Sequence, residues 1–165
     1  ENASNAIEDV VPFVPYRLYF VLYNPQIVSD SLGAMTFSWR LEPTPVPAPI
    51  VIMYLPPNSL QIGTLYNVIV GYGHGLPVVD NHAVVVSVEL LFLTDIALPT
   101  YIFLGPADPT SIPGQMEYND FYNPEDVWPA HPFSDGGLYE NPVFGFGMPV
   151  ATEASTWGGV KALFR

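Results

Sequence analysis

Ala34-Met35-Thr36-Phe37-Ser38-Trp39-Arg40-Leu41 alternates large apolar side chains with small or polar ones without a break. Met35, Phe37, Trp39 and Leu41 fall on one face of an extended chain. Ala34, Thr36, Ser38 and Arg40 fall on the other. A period of two over this length predicts a strand with one buried face and one wet face. Such strands belong to antiparallel sheets that cover each other on one side only, so the stretch points to a sandwich.

The flanking sequence repeats the signal. In residues 16–23, Leu18, Phe20 and Leu22 oppose Arg17, Tyr19, Val21 and Tyr23. Residues 50–55 are apolar on both faces and predict a central strand. Residues 64–72 and 83–93 predict two long strands. In the second, Val84, Val86, Val88, Leu90 and Phe92 form one apolar face, with Ser87 and Glu89 opposite. Residues 100–104 and 143–150 predict shorter strands. Most of the 19 Pro and 13 Gly fall between these runs, where they end strands and make turns. No stretch of helical length keeps a 3.6-residue period. The expected fold is an all-β, immunoglobulin-like antiparallel sandwich.

Two regions break the rhythm. Residues 41–49 carry prolines at 43, 45, 47 and 49, which exclude a central strand and predict an extended crossing or an edge cover. Residues 105–142 predict a long irregular excursion, and a loop of that length in a compact domain is functional or docked. The only helical signal is a short C-terminal turn capped by Ser155, with Trp157, Val160 and Phe164 on one side. The expected organisation is an N-terminal arm or first strand over residues 1–15 and one sandwich domain over 16–165.

Composition excludes several functions. Sixteen acids against four bases give a net charge of −12, which disfavours nucleic acid and anionic membranes as partners. No run of about 18 apolar residues exists to form a transmembrane helix. Cys is absent, which removes disulfides and thiolate chemistry. The chain begins at Glu1 rather than Met, from which a removed secretory signal and an extracellular protein are expected; a trimmed cytosolic protein is the alternative.

Candidate sites are few. No G-x-S-x-G turn is present, and His74, His82 and His131 stand near no evident nucleophile. His74 and His82 bracket Asp80 at a spacing longer than local zinc motifs use. The glycine run at residues 71–75 has no following Lys and is expected to be a plain turn. Glu117, Asn119, Asp120, Asn123, Glu125 and Asp126 place many hard oxygens in a short span, which suits Ca²⁺ or simply a solvated acidic loop. No pair of these acids is shown to face each other as glycoside hydrolysis requires. No other cofactor is expected. Tyr118, Phe121, Tyr122, Trp128 and Tyr139 crowd the excursion and suit a glycan or protein contact, or a cover over the core end. Asn2-Ala3-Ser4 is a glycosylation sequon.

The chain end, residues 153–165, reads Glu-Ala-Ser-Thr-Trp-Gly-Gly-Val-Lys-Ala-Leu-Phe-Arg. It resembles the A/S-T-W-G-x-V/I-K-A-L-Y/F-R terminus of a group of secreted proteins from environmental bacteria. Leu22-Tyr23-Asn24-Pro25, Leu55-Pro56-Pro57, residues 67–71, Gly75-Leu76-Pro77, Leu104-Gly105-Pro106 and residues 111–114 are similar to the same group. The resemblance implies secretion and a β-sandwich, and carries no activity with it. The strand rhythm is also similar to cohesin-type sandwiches of bacterial surfaces.

The functional expectation is a structural protein, not an enzyme, which assembles with copies of itself into an extracellular filament or surface layer. Ile7, Val10, Val11, Phe13 and Val14 would then be buried in a neighbouring subunit by strand addition. The alternative is a monomeric module that binds carbohydrate or protein through the excursion.

Overall fold

In the computed structural model, which describes residues 6–7 and 9–147, the chain forms two β-sheets packed against each other, with no α-helix among the described residues. In chain order the strands are β1 (Ala6–Ile7), β2 (Pro15–Tyr23), β3 (Ser31–Glu42), β4 (Ile50–Tyr54), β5 (Ser59–Gln61), β6 (Asn67–Pro77), β7 (His82–Leu91), β8 (Thr100–Gly105), β9 (Met116–Asp120), β10 (Val127–Ala130) and β11 (Phe144–Phe146). The larger sheet runs β1-β11-β8-β3-β6-β5, with the β9–β10 hairpin added beside β3. The smaller sheet runs β2-β7-β4. The fold is thus the expected all-β sandwich. Its pairings are antiparallel except β1 with β11, which are parallel through Ala6↔Gly145 and Ile7↔Phe146.

The stretch that announces the fold lies at its centre. β3 pairs β6 along one edge. Its other edge is divided: Leu32 to Thr36 pair β9, and Ser38 to Glu42 pair β8. Met35, Phe37, Trp39 and Leu41 point inward and are buried. Phe20 of β2 meets Phe37 and Trp39 across the sandwich, with ring centroids 5.1 and 5.8 Å apart. Val86, Val88 and Leu90 of β7 fill the same layer. The Trp39 indole N–H donates to Leu65 O at 2.8 Å, and the Tyr72 hydroxyl donates to Val85 O at 3.0 Å. Both polar tips therefore enter the core with partners, as burial requires. Burial also pushes the Tyr72 phenol above its ordinary pKa.

Several expectations change. Val84 does not belong to the inner face of β7. A bulge opposite Phe20/Val21 turns Val85 inward beside Val86 and leaves Val84 41% exposed. β4 is an edge of the smaller sheet rather than a central strand, with Ile50, Ile52 and Tyr54 exposed. The glycine run at 71–75 lies within β6 and is no turn. There the register with β3 jumps, so that Leu32 faces Leu76 and Ala34 faces Gly71. The turn comes later, at Asp80 and Asn81, both with positive φ, which close a two-residue hairpin between Val79 and His82. Residues 105–142 are only partly irregular, because β9 and β10 extend the larger sheet. Residues 41–49 carry the chain from the larger sheet to the smaller, as their prolines predict. The Asn2 sequon, residues 148–150 of the last predicted strand and the helical turn at Ser155 lie outside the described residues.

Candidate interaction surface

The acidic stretch is structural where it is buried. Asp120 is fully enclosed. One carboxylate oxygen accepts the N–H groups of Val28 (3.1 Å) and Ser29 (3.0 Å). The other accepts the Ser29 hydroxyl (2.7 Å) and the N–H groups of Tyr122 (2.8 Å) and Asn123 (3.3 Å). Desolvation raises the Asp120 pKa, but the bonds from Ser29, Tyr122 and Val28 outweigh it and hold the carboxyl below its ordinary value. Glu117, also buried, accepts the N–H groups of Ser111 (2.7 Å) and Ile112 (2.6 Å). Asn119 donates to Pro124 O at 3.0 Å. Asn123, Glu125 and Asp126 are exposed. The six residues expected to suit Ca²⁺ do not converge. Among the described residues no three Asp, Glu or His side chains gather to hold an ion. His74 and His82 are both exposed.

The aromatics of the excursion divide in the same way. Tyr118 is buried, stacks on Trp128 at 5.9 Å, and accepts the Gln26 N–H at 2.9 Å. The Tyr139 hydroxyl accepts the Met116 N–H at 3.1 Å and packs between Gln115 and Ala130. These three residues cover the end of the core. Phe121 is half-buried and meets Tyr122 edge-on, and only Tyr122 is freely exposed.

The N-terminal segment is split between two environments. Ile7 pairs Phe146 within its own domain, and Val10 is buried in the core. Val11, Phe13 and Val14 stand in water, with Phe13 70% exposed. The Phe13 backbone lies in the left-handed region at φ 62°, while its N–H donates to Phe92 O at 2.8 Å. An aromatic residue there is strained by sterics that Gly escapes.

This segment leads directly into the outer face of the smaller sheet. Its cross-strand rows are Pro15–Leu91–Ile50, Arg17–Glu89–Ile52, Tyr19–Ser87–Tyr54, Val21–Val84 and Tyr23–His82. Tyr19, Val21, Tyr23, Ile50, Ile52, Tyr54 and Val84 are all exposed. Arg17 lies across the face, 4.2 Å from the Tyr54 ring centroid and 3.4 Å from the Glu89 carboxylate. Large contiguous apolar patches on a folded surface mark sites of interaction. No protein-family model, no curated protein and no solved structure matches the chain.

The apolar pattern of the sequence does not show this face, because a strand apolar on both sides such as β4 predicts burial of both. The signal that locates it is the bracketing of β4 by Pro47 and Pro49 before and Pro56 and Pro57 after. Prolines at both ends suit an edge strand, and an edge strand with two apolar faces exposes one of them. On the opposite side of the molecule an open groove of about 580 Å³ is lined by Thr36, Asn67, Ile69, Asp108, Ser111 and Glu117, among others. Its walls are held by the Glu117 bonds and by the Asn67 side chain, which pairs both backbone groups of Asp108.

Proposed function

We propose that the chain is a non-catalytic structural subunit of the extracellular space that assembles with copies of itself. The observation that carries this reading is the segment ahead of β2. Its hold on its own domain is short: two residue pairs of β1, the side chain of Val10, and single N–H bonds from Val11 to the Tyr16 hydroxyl (2.7 Å) and from Phe13 to Phe92 O (2.8 Å). It then presents Val11, Phe13 and Val14 to water around a strained left-handed residue. Exposed apolar side chains beside a strained turn are accounted for when a neighbouring subunit covers them. In a strand exchange, residues 6–10 would leave β11 of one subunit and occupy the same edge in the next, turning about Phe13. Repetition head to tail gives an open filament. The resemblance of the chain end to secreted proteins supports the compartment.

Electron microscopy and sedimentation velocity on the full chain and on a Val11→Ser/Phe13→Ser/Val14→Ser variant test the reading. The full chain should form regular polymers at neutral pH, and the variant should sediment as small particles with an unchanged circular dichroism spectrum. Isolated particles from the full chain, or polymers from both, would sink it.

A second reading is a carbohydrate-binding module, favoured by Tyr19 and Tyr54 flanking the small Ser87 under the Arg17 guanidinium. Its sign would be retardation of the protein in polysaccharide gels, lost in Tyr19→Ala and Tyr54→Ala.

A further inference from the structure

We infer that the outer face of the β2-β7-β4 sheet docks against the same face of a second copy of this chain. The choice of partner rests on the self-assembly reading, but the surface is distinct from the N-terminal segment. Charge is the first argument. The chain carries −12, so two copies repel wherever their acidic surfaces meet. This face holds one acid, Glu89, and one base, Arg17, already 3.4 Å apart, and is otherwise Tyr, Ile, Val and Ser with His82 at its end. It is a neutral region through which like-charged copies can approach. A two-fold axis through the Arg17–Glu89 row would set Arg17 of one copy against Glu89 of the other, an isologous contact.

The edges of the sheet restrict the other mode of association. β2 is bracketed by Pro15 and Pro25, and β4 by Pro49 and Pro56. Pairing along the short β4 edge is thereby limited to five residues, and along β2 to the residues between its prolines, while the face stays open. Area sets the strength. Strands about 4.8 Å apart, β2 and β7 about 30 Å long and β4 about 17 Å, give roughly 400 Å² in plan. That is about half of the ~800 Å² per partner in a standard interface. The contact is therefore a weak, reversible dimer that gains strength only when repeated along a polymer.

The experiment uses the Val11→Ser/Phe13→Ser/Val14→Ser chain, which lacks the apolar cluster that the neighbouring subunit is proposed to cover, so the two contacts are read separately. Sedimentation equilibrium should show a monomer–dimer equilibrium. Ile52→Asp enters a two-fold contact twice and should raise the dimer dissociation constant at least about a hundredfold. The chain has no Cys, so Ser87→Cys provides a unique thiol at the centre of the face. A short bis-maleimide should link two Ser87→Cys chains and should fail to link Ser111→Cys chains on the opposite side. A chain that stays monomeric at all concentrations overturns the inference. So does a dimer indifferent to Ile52→Asp, or a face that only a neutral polysaccharide protects from modification. Polymers of the full chain together with a triple variant that never dimerises would overturn it while leaving the filament reading intact. A dimer without polymers would do the reverse.

Discussion

Asp120 is a buried carboxylate with no cationic partner, held instead by two regions of backbone: Val28 and Ser29 from the loop after β2, and Tyr122 and Asn123 from the turn after β9. Charge-assisted bonds to backbone N–H groups are the strong kind, and removing the acceptor strands several buried donors at once. Asp120→Asn keeps the shape but turns an amide N–H₂ toward donors, and should destabilise the fold by about 3 kcal/mol. The carboxyl pKa is lower in the folded chain than in the unfolded one. Its contribution is therefore present above the unfolded value, about 3.9, and fades as pH falls through the lower folded value. The melting-temperature gap between the native chain and Asp120→Asn should be widest above about pH 4 and close in stronger acid. A gap that stays constant through that window would show that the carboxylate charge is not what the site holds. Phe13 makes the opposite case. Its left-handed backbone favours Gly, and its ring is mostly in water, so Phe13→Gly should raise stability by about 1 kcal/mol. Thermal unfolding of the monomer checks this. A loss of stability would mean that the ring packs in the isolated subunit and is not reserved for a neighbour.

Among the elements, those with clean alternation were legible and those with buried polar groups were not. β3 shows its inner face in sequence because each inward residue is large and apolar. β9 hides because Glu117 and Asp120 are polar and buried, so period two never appears and the stretch reads as an acidic loop. Their burial depends on loop N–H groups from elsewhere in the chain, which no local pattern records. The bulge in β7 hides for a related reason: in a run of Val residues the change of face between Val84 and Val85 leaves no trace. For the candidate surface, the outward residues of β2 were legible as a second face, but their lack of a cover is a property of sheet order. The contrast between β4 and β7 is testable. Val88, fully buried at the centre of the smaller sheet, should cost about 2–3 kcal/mol as Val88→Ala. Ile52→Thr on the outer face of β4 should change monomer stability by less than about 0.5 kcal/mol. Chemical denaturation of the monomer decides it, and a large loss at Ile52 would mean that the face is covered within the chain.

At the scale of the whole molecule, strong net charge and an uncovered apolar face act against each other. A chain at −12 stays dispersed through repulsion between copies, and repulsion between exposed charges is screened by salt. The Debye length falls from about 30 Å at 0.01 M to about 8 Å at 0.15 M ionic strength. The attraction proposed here is apolar burial, which moderate salt does not weaken. Association should therefore strengthen as NaCl rises across that range. The Arg17–Glu89 pair supplies the internal check, since a contact held mainly by those charges would loosen in the same salt. Sedimentation equilibrium at three ionic strengths separates the cases by sign. A dimer that tightens with salt places the driving force in Tyr19, Ile52 and Val84. A dimer that loosens places it in the ion pairs and removes apolar burial as the reason the face lies open.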